Sequence, residues 1–480
     1  MKNKLLLVLA NSRWHNKRPW LSIPYAALIL SALLKDTFTF QIVDANARNL
    51  TEAECQREIN DFDPDIVMVS ALSVEYHRQF HTVMSLVKAV NPSIITVIGG
   101  VYPTTLPEEV LKDTNVDFIF IGHAEERIVS FLQAVLSPAK TDLERIPAIG
   151  YRLADGTLHI TPVASYISSV AEMVRPDYSL LDIEPYLVRN TSDYQVSSQV
   201  RSASLLTTYG CPFDCVFCAT RTISGKGVAF RPVNDVLDEI DYLVHNHAIE
   251  DIVFLDDYLL ADKQRITSLL QGLIDRNYNL TWKAANVSAW HLKEDLLDLM
   301  KQSGCTQITI SVESGSQRVL RDIIRKPLNL EIVPPVVQMC RTRGIDIAAN
   351  FVIGFPGETW DDLRMTFKFA ETCDFDLVHF HIATPLPATD LYRIAQEQKL
   401  LPEDFSFFNP NYFGFGQAFI ATDEFTTQEL LVLRAFEWDR INFSTSEKTA
   451  KVAALYNMTL EELTNHRKMT RLKFGIHLHE

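Results

Sequence analysis

Two α/β domains in tandem are what the sequence predicts. The first is a Rossmann-like sheet of flavodoxin type; the second is a partial, TIM-like (β/α)6 barrel with a mostly helical C-terminal extension. Three observations predict this. Short apolar runs alternate with helix-period segments from Leu5 to Leu136. The alternation starts afresh at Ser204 and repeats through six strand–helix units to Ala383. Between them, residues 141–199 lose it and carry Pro147, Pro162, Pro176 and Pro185. The expected division is a first domain over 1–140, a linker over 141–199, a second domain over 200–390 and a helical domain over 391–480, a cover for the substrate site.

In the first domain, Leu5–Ala10, Thr39–Val43, Asp65–Ala71, Ile94–Ile98 and Asp117–Ile121 read as strands. Pro24–Leu34 (with Ser22 as N-cap), Thr51–Phe62, Val74–Val90 and Ala124–Leu136 read as helices. The run Leu5–Ala10 stops at Asn11-Ser12-Arg13 with no A-x-A-like site, so it reads as a buried strand and not a signal peptide. In open parallel sheets ligands sit beyond the carboxyl ends of the strands. Here those ends carry Asn11–Trp20, Ser70-Ala71-Leu72 and Gly99-Gly100-Val101-Tyr102-Pro103-Thr104. In the linker, Ile149–Leu153 and Leu158–Ile160 around Asp155-Gly156 read as a β-hairpin.

The second domain opens on Cys211-Pro212-Phe213-Asp214-Cys215-Val216-Phe217-Cys218. Three thiols on one tight loop can face a single point, as a metal cluster needs. Zinc would want a fourth Cys or His at close spacing, and none is there. Three thiolates suit a [4Fe–4S] cluster with one iron left open. Strands are expected at Ser204–Thr208, Asp251–Leu255, Thr281–Ala285, Gln307–Val312, Asp346–Ile353 and Leu377–Ala383, with polar residues at their carboxyl ends. Those residues are Asp256-Asp257, Glu313-Ser314-Gly315, Asn350 with Gly354-Phe355-Pro356-Gly357-Glu358, and Thr384-Pro385-Leu386-Pro387-Ala388-Thr389. Asp256-Asp257 also suits a helix N-cap, and Glu313 a buried pair with Arg318 or Arg321. Cys55, Cys305, Cys340 and Cys373 lie in helical or strand-edge patterns and read as small buried residues. Beyond the barrel, Asn409–Gln417 reads as an aromatic loop over its mouth. Thr426–Ile441 and Thr459–Leu472 read as helices, the first with an apolar stripe that suits a core.

Composition narrows the function. The 480-residue chain is 47% apolar and 22% charged, as globular proteins are, and long enough for large cores. A net charge of −15 speaks against a general nucleic-acid or anionic-membrane binder. No apolar run approaches a membrane span. Seven cysteines, three of them clustered, suit a reducing compartment, so a cytoplasmic location is expected.

The C-x3-C-x2-C loop resembles that of the radical S-adenosylmethionine (SAM) enzymes. The segments Glu313-Ser314-Gly315-Ser316, Gly354–Thr359 and Thr384–Thr389 are similar to that family's later motifs, with Ala388 where glycine is usual. Ser70-Ala71-Leu72, followed at the family's spacing by Gly99-Gly100, resembles cobalamin (B12)-binding domains. Together they identify the chain as similar to cobalamin-binding radical SAM enzymes, most closely the class B methyltransferases. The resemblance covers about residues 1–395.

It implies that Cys211, Cys215 and Cys218 hold a [4Fe–4S] cluster whose open iron takes SAM. It implies SAM contacts from Phe217, Asp256, Asp257, Glu313, Asn350 and Gly354, and cobalamin contacts from Trp14, His15, Ser70, Leu72, Gly99, Gly100, Tyr102 and Thr104. The family's D-x-H-x-x-G loop is absent. His15 is therefore either a lower cobalt ligand or an ordinary cleft histidine. The implied activity moves a methyl group from SAM, by way of methylcobalamin, to an unactivated carbon or phosphorus of a small molecule. An external flavodoxin- or ferredoxin-type electron donor is implied; no nucleic-acid partner is expected. The rival readings are a non-methylating ring contraction or cyclisation and a non-catalytic cofactor sensor. Methylthiolation of tRNA would want a basic appended domain, and none is visible. The substrate and catalytic residues are not legible.

Overall fold

The computed structural model describes residues 2–137, 143–162, 174–187, 200–410, 412–413 and 416–475. The expected linker residues 163–173 and 188–199 lie outside the described residues. Two compact units are present. One comprises Met1–Tyr186 with Thr222–Gly225 and Ala229–Pro232; the other takes the remainder.

The first unit is built on β1 (Lys4–Leu9), β2 (Thr39–Asp44), β3 (Ile66–Ser70), β4 (Ile95–Gly99) and β5 (Phe118–Phe120), parallel and ordered 2-1-3-4-5. This is the flavodoxin-type order, with its switch point between β1 and β3. β1 pairs with both β2 and β3. Its Leu5, Leu6, Leu7 and Val8 are fully buried, which explains a continuous apolar run in place of an alternating one.

Three local features depart from expectation. Helix Tyr25–Leu34 starts after Pro24 and has no side-chain cap, so Ser22 does not serve as one. The expected helix Val74–Val90 is split into a 3-10 turn, Val74–Tyr76, capped by Ser73, and an α-helix, His77–Val90. The hairpin, β6 (Ile149–Arg152) and β7 (Leu158–Ile160), does turn at Asp155-Gly156, but it extends the sheet antiparallel from β5. Tyr186 then donates a 2.6 Å hydrogen bond to Asp44 at the end of β2. These described parts of the linker therefore belong to the first unit.

The second unit holds β8 (Ser202–Leu205), β9 (Asp251–Phe254), β10 (Thr281–Val287), β11 (Cys305–Glu313), β12 (Asp346–Ile353) and β13 (Leu377–Ile382). They form one parallel sheet in sequence order, the wall of a (β/α)6 partial barrel. Helices Val233–His247, Lys263–Arg276, Glu294–Gln302, Val333–Thr342 and Trp360–Cys373 connect them. A six-strand wall leaves β13 as an edge. Helix Thr427–Asn442 covers it: the Asn442 amide accepts from Val378 N–H and donates to Val378 C=O, both at 2.8 Å. One side chain thus occupies the hydrogen-bonding positions a neighbouring strand would fill. Helices Ser446–Leu455 and Leu460–Lys473 complete this side, packing Val452, Ala453 and Leu463 on Ala348 and Leu377. Thr426 with Glu429 forms a capping box at the start of helix Thr427–Asn442, and Thr459 with Glu462 one at the start of Leu460–Lys473. Cys55, Cys305, Cys340 and Cys373 are buried, as expected.

Candidate functional site

At the carboxyl end of the barrel wall lies a chamber of about 540 Å³, and Cys211, Cys215 and Cys218 all line it. The loop is held in shape from both sides. Val216 N–H donates to Ile324 C=O at 3.0 Å, and Val216 C=O accepts from Leu391 N–H at 2.8 Å. Cys218 N–H closes a tight turn on Cys215 C=O at 3.0 Å. The three thiols sense one another: charge on Cys218 or Cys211 opposes ionisation of Cys215. Burial is the larger cause and pushes the Cys215 thiol up to about 12, while the Lys326 ammonium works against it. No His, Cys, Asp or Glu trio among the described residues closes on a single metal ion. Three thiols lining one chamber from one short loop are a donor set that fits an iron–sulfur cluster, and a cluster removes the proton that burial otherwise retains.

Aromatic rings wall the chamber. Phe213 meets Tyr258 and Trp290 edge-on, each at 5.3 Å between ring centroids, and Phe217 tilts on Phe355 at 5.7 Å. Tyr258 is fixed by His291 Nε2 at 2.5 Å and by the Trp290 indole N–H at 3.2 Å. Tyr412, from the aromatic loop, lines the chamber and donates to Pro385 C=O at 2.5 Å. Of that loop, residues 411, 414 and 415 lie outside the described residues.

The polar groups sort into those that face the chamber and those that support it. Asp257 faces it and accepts from Gly210 N–H at 3.2 Å. Asp256 does not. It is sealed beneath, its Oδ1 bound to Thr207 N–H at 3.0 Å and Thr207 hydroxyl at 2.7 Å. It fixes the strand end before the cysteine loop and does not line the chamber. Glu313 faces the chamber because a register shift between Ser311 and Glu313 bends β11 there, with Glu313 at φ 70°. Its partner is Lys326, at 2.9 Å; neither candidate arginine takes that place. Arg318 pairs with Asp362 and Arg321 with Asp322. Asn350 also lines the chamber, and its buried Oδ1 has no hydrogen-bond partner, an acceptor left for a bound molecule.

Gly354 is absent from the chamber wall. At φ 90°, a Cβ there would lie 2.7 Å from Leu430 Cδ1, so the glycine lets helix Thr427–Asn442 approach. Glu358 holds the same turn, accepting from Gly354 N–H at 2.6 Å and Phe355 N–H at 3.1 Å. Sequence reasoning missed Lys326, His381 and Arg434, all on the chamber wall. Lys326 follows the turn Val319–Ile324, His381 sits in β13 and Arg434 in helix Thr427–Asn442, and none of the three carries a motif.

The first unit has its own cavity, about 70 Å³, at the β1/β3 switch point. Ser70 and Leu72 line it, as do Ser12, Trp20, Asn46 and Tyr76. Leu72 is 48% exposed, an apolar side chain offered at a strand end. The other expected contacts do not line this cavity. Trp14 is buried and donates to Leu50 C=O at 2.9 Å. Tyr102 is buried against His81, and its hydroxyl lies 3.1 Å from His81 Nε2. Thr104 donates to Gly100 C=O at 2.7 Å and accepts from Gly122 N–H at 2.8 Å. His15, at φ 59°, meets Thr82 Oγ1 at 2.9 Å and is not on the cavity wall. Gly99 ends β4, and Gly100, at φ 98°, allows Ala71 to pass: a Cβ there would lie 2.8 Å from Ala71 O. The wall is mostly apolar and aromatic, with Ser12, Ser22, Asn46 and Ser70 as its small polar groups.

Comparison with known proteins agrees with both halves. The radical SAM superfamily model matches residues 205–370, and the B12 binding domain model matches residues 19–132. The chain is 27% identical over 421 residues to cytidylyl-2-hydroxyethylphosphonate methyltransferase of Streptomyces wedmorensis, covering 81% of this chain and 78% of that one. It is 27% identical over 354 residues to an anaerobic magnesium-protoporphyrin IX monomethyl ester cyclase of Rubrivivax gelatinosus, covering 73% and 62%. The fold superposes on the radical SAM methyltransferase TsrM of Kitasatospora setae with a TM-score of 0.72 at 17% identity, over 99% of this chain and 100% of that one.

Proposed function

The chain belongs to the cobalamin-binding radical SAM enzymes, and from that premise we propose that it is a methyltransferase. It moves a methyl group from SAM to an unactivated carbon, or to phosphorus, of a small molecule. The observation that carries this reading is the convergence of Cys211, Cys215 and Cys218 on one chamber beside the unpartnered Asn350 Oδ1. The three thiolates would hold the cluster; Asp257, Asn350 and the Glu313–Lys326 pair are the polar groups available to SAM. Ser70, Leu72 and Trp20 would seat cobalamin. Bound there, the cluster supplies the electron that cleaves SAM, and cobalamin carries the methyl group. The protein orients and shields: Phe213, Phe217, Tyr258 and Trp290 exclude water from the chamber, which protects radicals from quenching. A flavodoxin- or ferredoxin-type donor would supply the electron, in the reducing cytoplasm.

A cyclisation without methyl transfer is the second reading, favoured by the likeness to a named cyclase. Anaerobically reconstituted protein, reduced in the presence of SAM, is expected to release 5′-deoxyadenosine, and alanine at any of the three cysteines abolishes it. With deuterated-methyl SAM and organophosphonate or other candidate substrates, label enters the product. Product without label selects the cyclisation. Absence of SAM cleavage by well-folded, cluster-loaded protein sinks both readings.

A further inference from the structure

Behind the chamber is a second cavity of about 280 Å³, between β13 and the C-terminal helices. His381 and Arg434 line both cavities, so the two share a wall. The second cavity gathers Arg434, Lys473, His379, His381 and His466, and among the described residues no carboxylate lines it. That is unusual in a chain of net charge −15. The acids closest in the C-terminal helices are engaged elsewhere: Asp439 by Arg467 and Arg471, Glu371 and Glu437 by Arg440. None of these acids reaches the cavity wall. A second, independent observation lies on β13. His379 is 7% exposed, stacks on His381 with ring centroids 6.3 Å apart, and has a buried Nε2 with no hydrogen-bond partner. Buried polar atoms are nearly always paired, so an unpaired one in a cavity wall marks a place where a ligand completes the set. Burial lowers the Arg434 guanidinium to about 10, which a bound anion would reverse.

We propose that this cavity is an anion subsite, and that it holds the phosphate or phosphonate end of the substrate while the reacting end lies in the chamber. The inference rests on the reading that the chamber is where substrate reacts. A tetrahedral oxyanion suits it better than a carboxylate. Arg434 offers a planar fork, Lys473 three mobile donors, and the histidines further ring N–H groups, more than a carboxylate's two oxygens can use. Arg434, on the shared wall, sets the distance between the charged end and the reacting atom.

Titration calorimetry of the full-length protein with inorganic phosphate and pyrophosphate at low ionic strength tests this without cluster, SAM or substrate. Saturable binding is expected, with acetate much weaker. Arg434→Met weakens pyrophosphate binding about tenfold or more, in line with the loss of a charge-assisted fork. His379→Gln and the exposed Lys473→Met weaken it less, and Lys473→Met serves if Arg434→Met does not fold. Two outcomes overturn the proposal: no saturable binding of either phosphate to the folded wild type, or wild-type affinity in Arg434→Met and Lys473→Met. Acetate binding as tight as pyrophosphate overturns the oxyanion class. Pyrophosphate binding in a protein that cannot cleave SAM leaves the subsite standing and removes the methyltransferase reading. SAM cleavage without anion binding does the reverse.

Discussion

Lys326 Nζ lies 2.9 Å from Glu313 Oε1, with the two side chains only 11% and 8% exposed. The pair exists because of two backbone irregularities: the bend that brings Glu313 into the chamber and the π-helical turn Val319–Ile324 just before Lys326. Removing one partner leaves a buried charge without its counterion, which costs about 3–5 kcal/mol. Lys326→Met and Glu313→Gln are each expected to lower the denaturation midpoint, and the double variant less than the sum of the two. A strictly additive double-mutant cycle would show that the two groups do not interact.

Gly100 is expected to tolerate no side chain. Its φ of 98° and the 2.8 Å approach of a Cβ to Ala71 O are both backbone constraints. Gly100→Ala should destabilise by about 1–3 kcal/mol or more. Retention of hydroxocobalamin on gel filtration should fall with it. Gly156→Ala, at φ 87° but with open space around it, is the control and should cost less.

Glu358 gives the stability a pH signature. Burial raises its carboxyl to about 8, against an ordinary value of 4.5. The native chain therefore keeps a proton that the unfolded chain releases between those values. The stabilisation is complete below about pH 4.5 and is lost as pH rises through about 8. The slope in that window approaches ~1.4 kcal/mol per pH unit. Glu358→Gln should flatten this decline while leaving the hydrogen bonds to Gly354 and Phe355 available. Equal slopes for the two proteins in urea titrations from pH 5 to 8 would refute the assignment.

Leu72 provides the cleanest test of the first-unit cradle. Half-exposed, it contributes little to the core, so Leu72→Asp should leave the melting temperature nearly unchanged. Its loss should weaken hydroxocobalamin retention by about tenfold, the value of burying one leucine against a ligand. Unchanged retention would move the corrinoid elsewhere.

Both sheets were legible because their periodicity is strong. After Lys4, β1 is an unbroken apolar run, and the barrel sheet takes its six strands in sequence order. The cysteine loop was legible because three thiols with a proline between them suit no core strand. What stayed hidden was direction. Adjacent Asp256 and Asp257 look alike in sequence, yet a strand end turns one inward to Thr207 and the other to the chamber. Gly354 and Gly100 carry ligand motifs in the sequence, while in the fold the atoms a Cβ there would meet belong to Leu430 and Ala71. Lys326, Arg434 and His379 could not be found from the chain, because what sets them apart is the company they keep across the fold.

The fastening of Val216 has a consequence for biogenesis. Its two backbone bonds reach Ile324 and Leu391, both far downstream. Such ties form only after the ribosome has released nearly the whole barrel, since long-range closures come late. The thiols of this loop should therefore reach their final arrangement only on a finished scaffold, after synthesis and not during it.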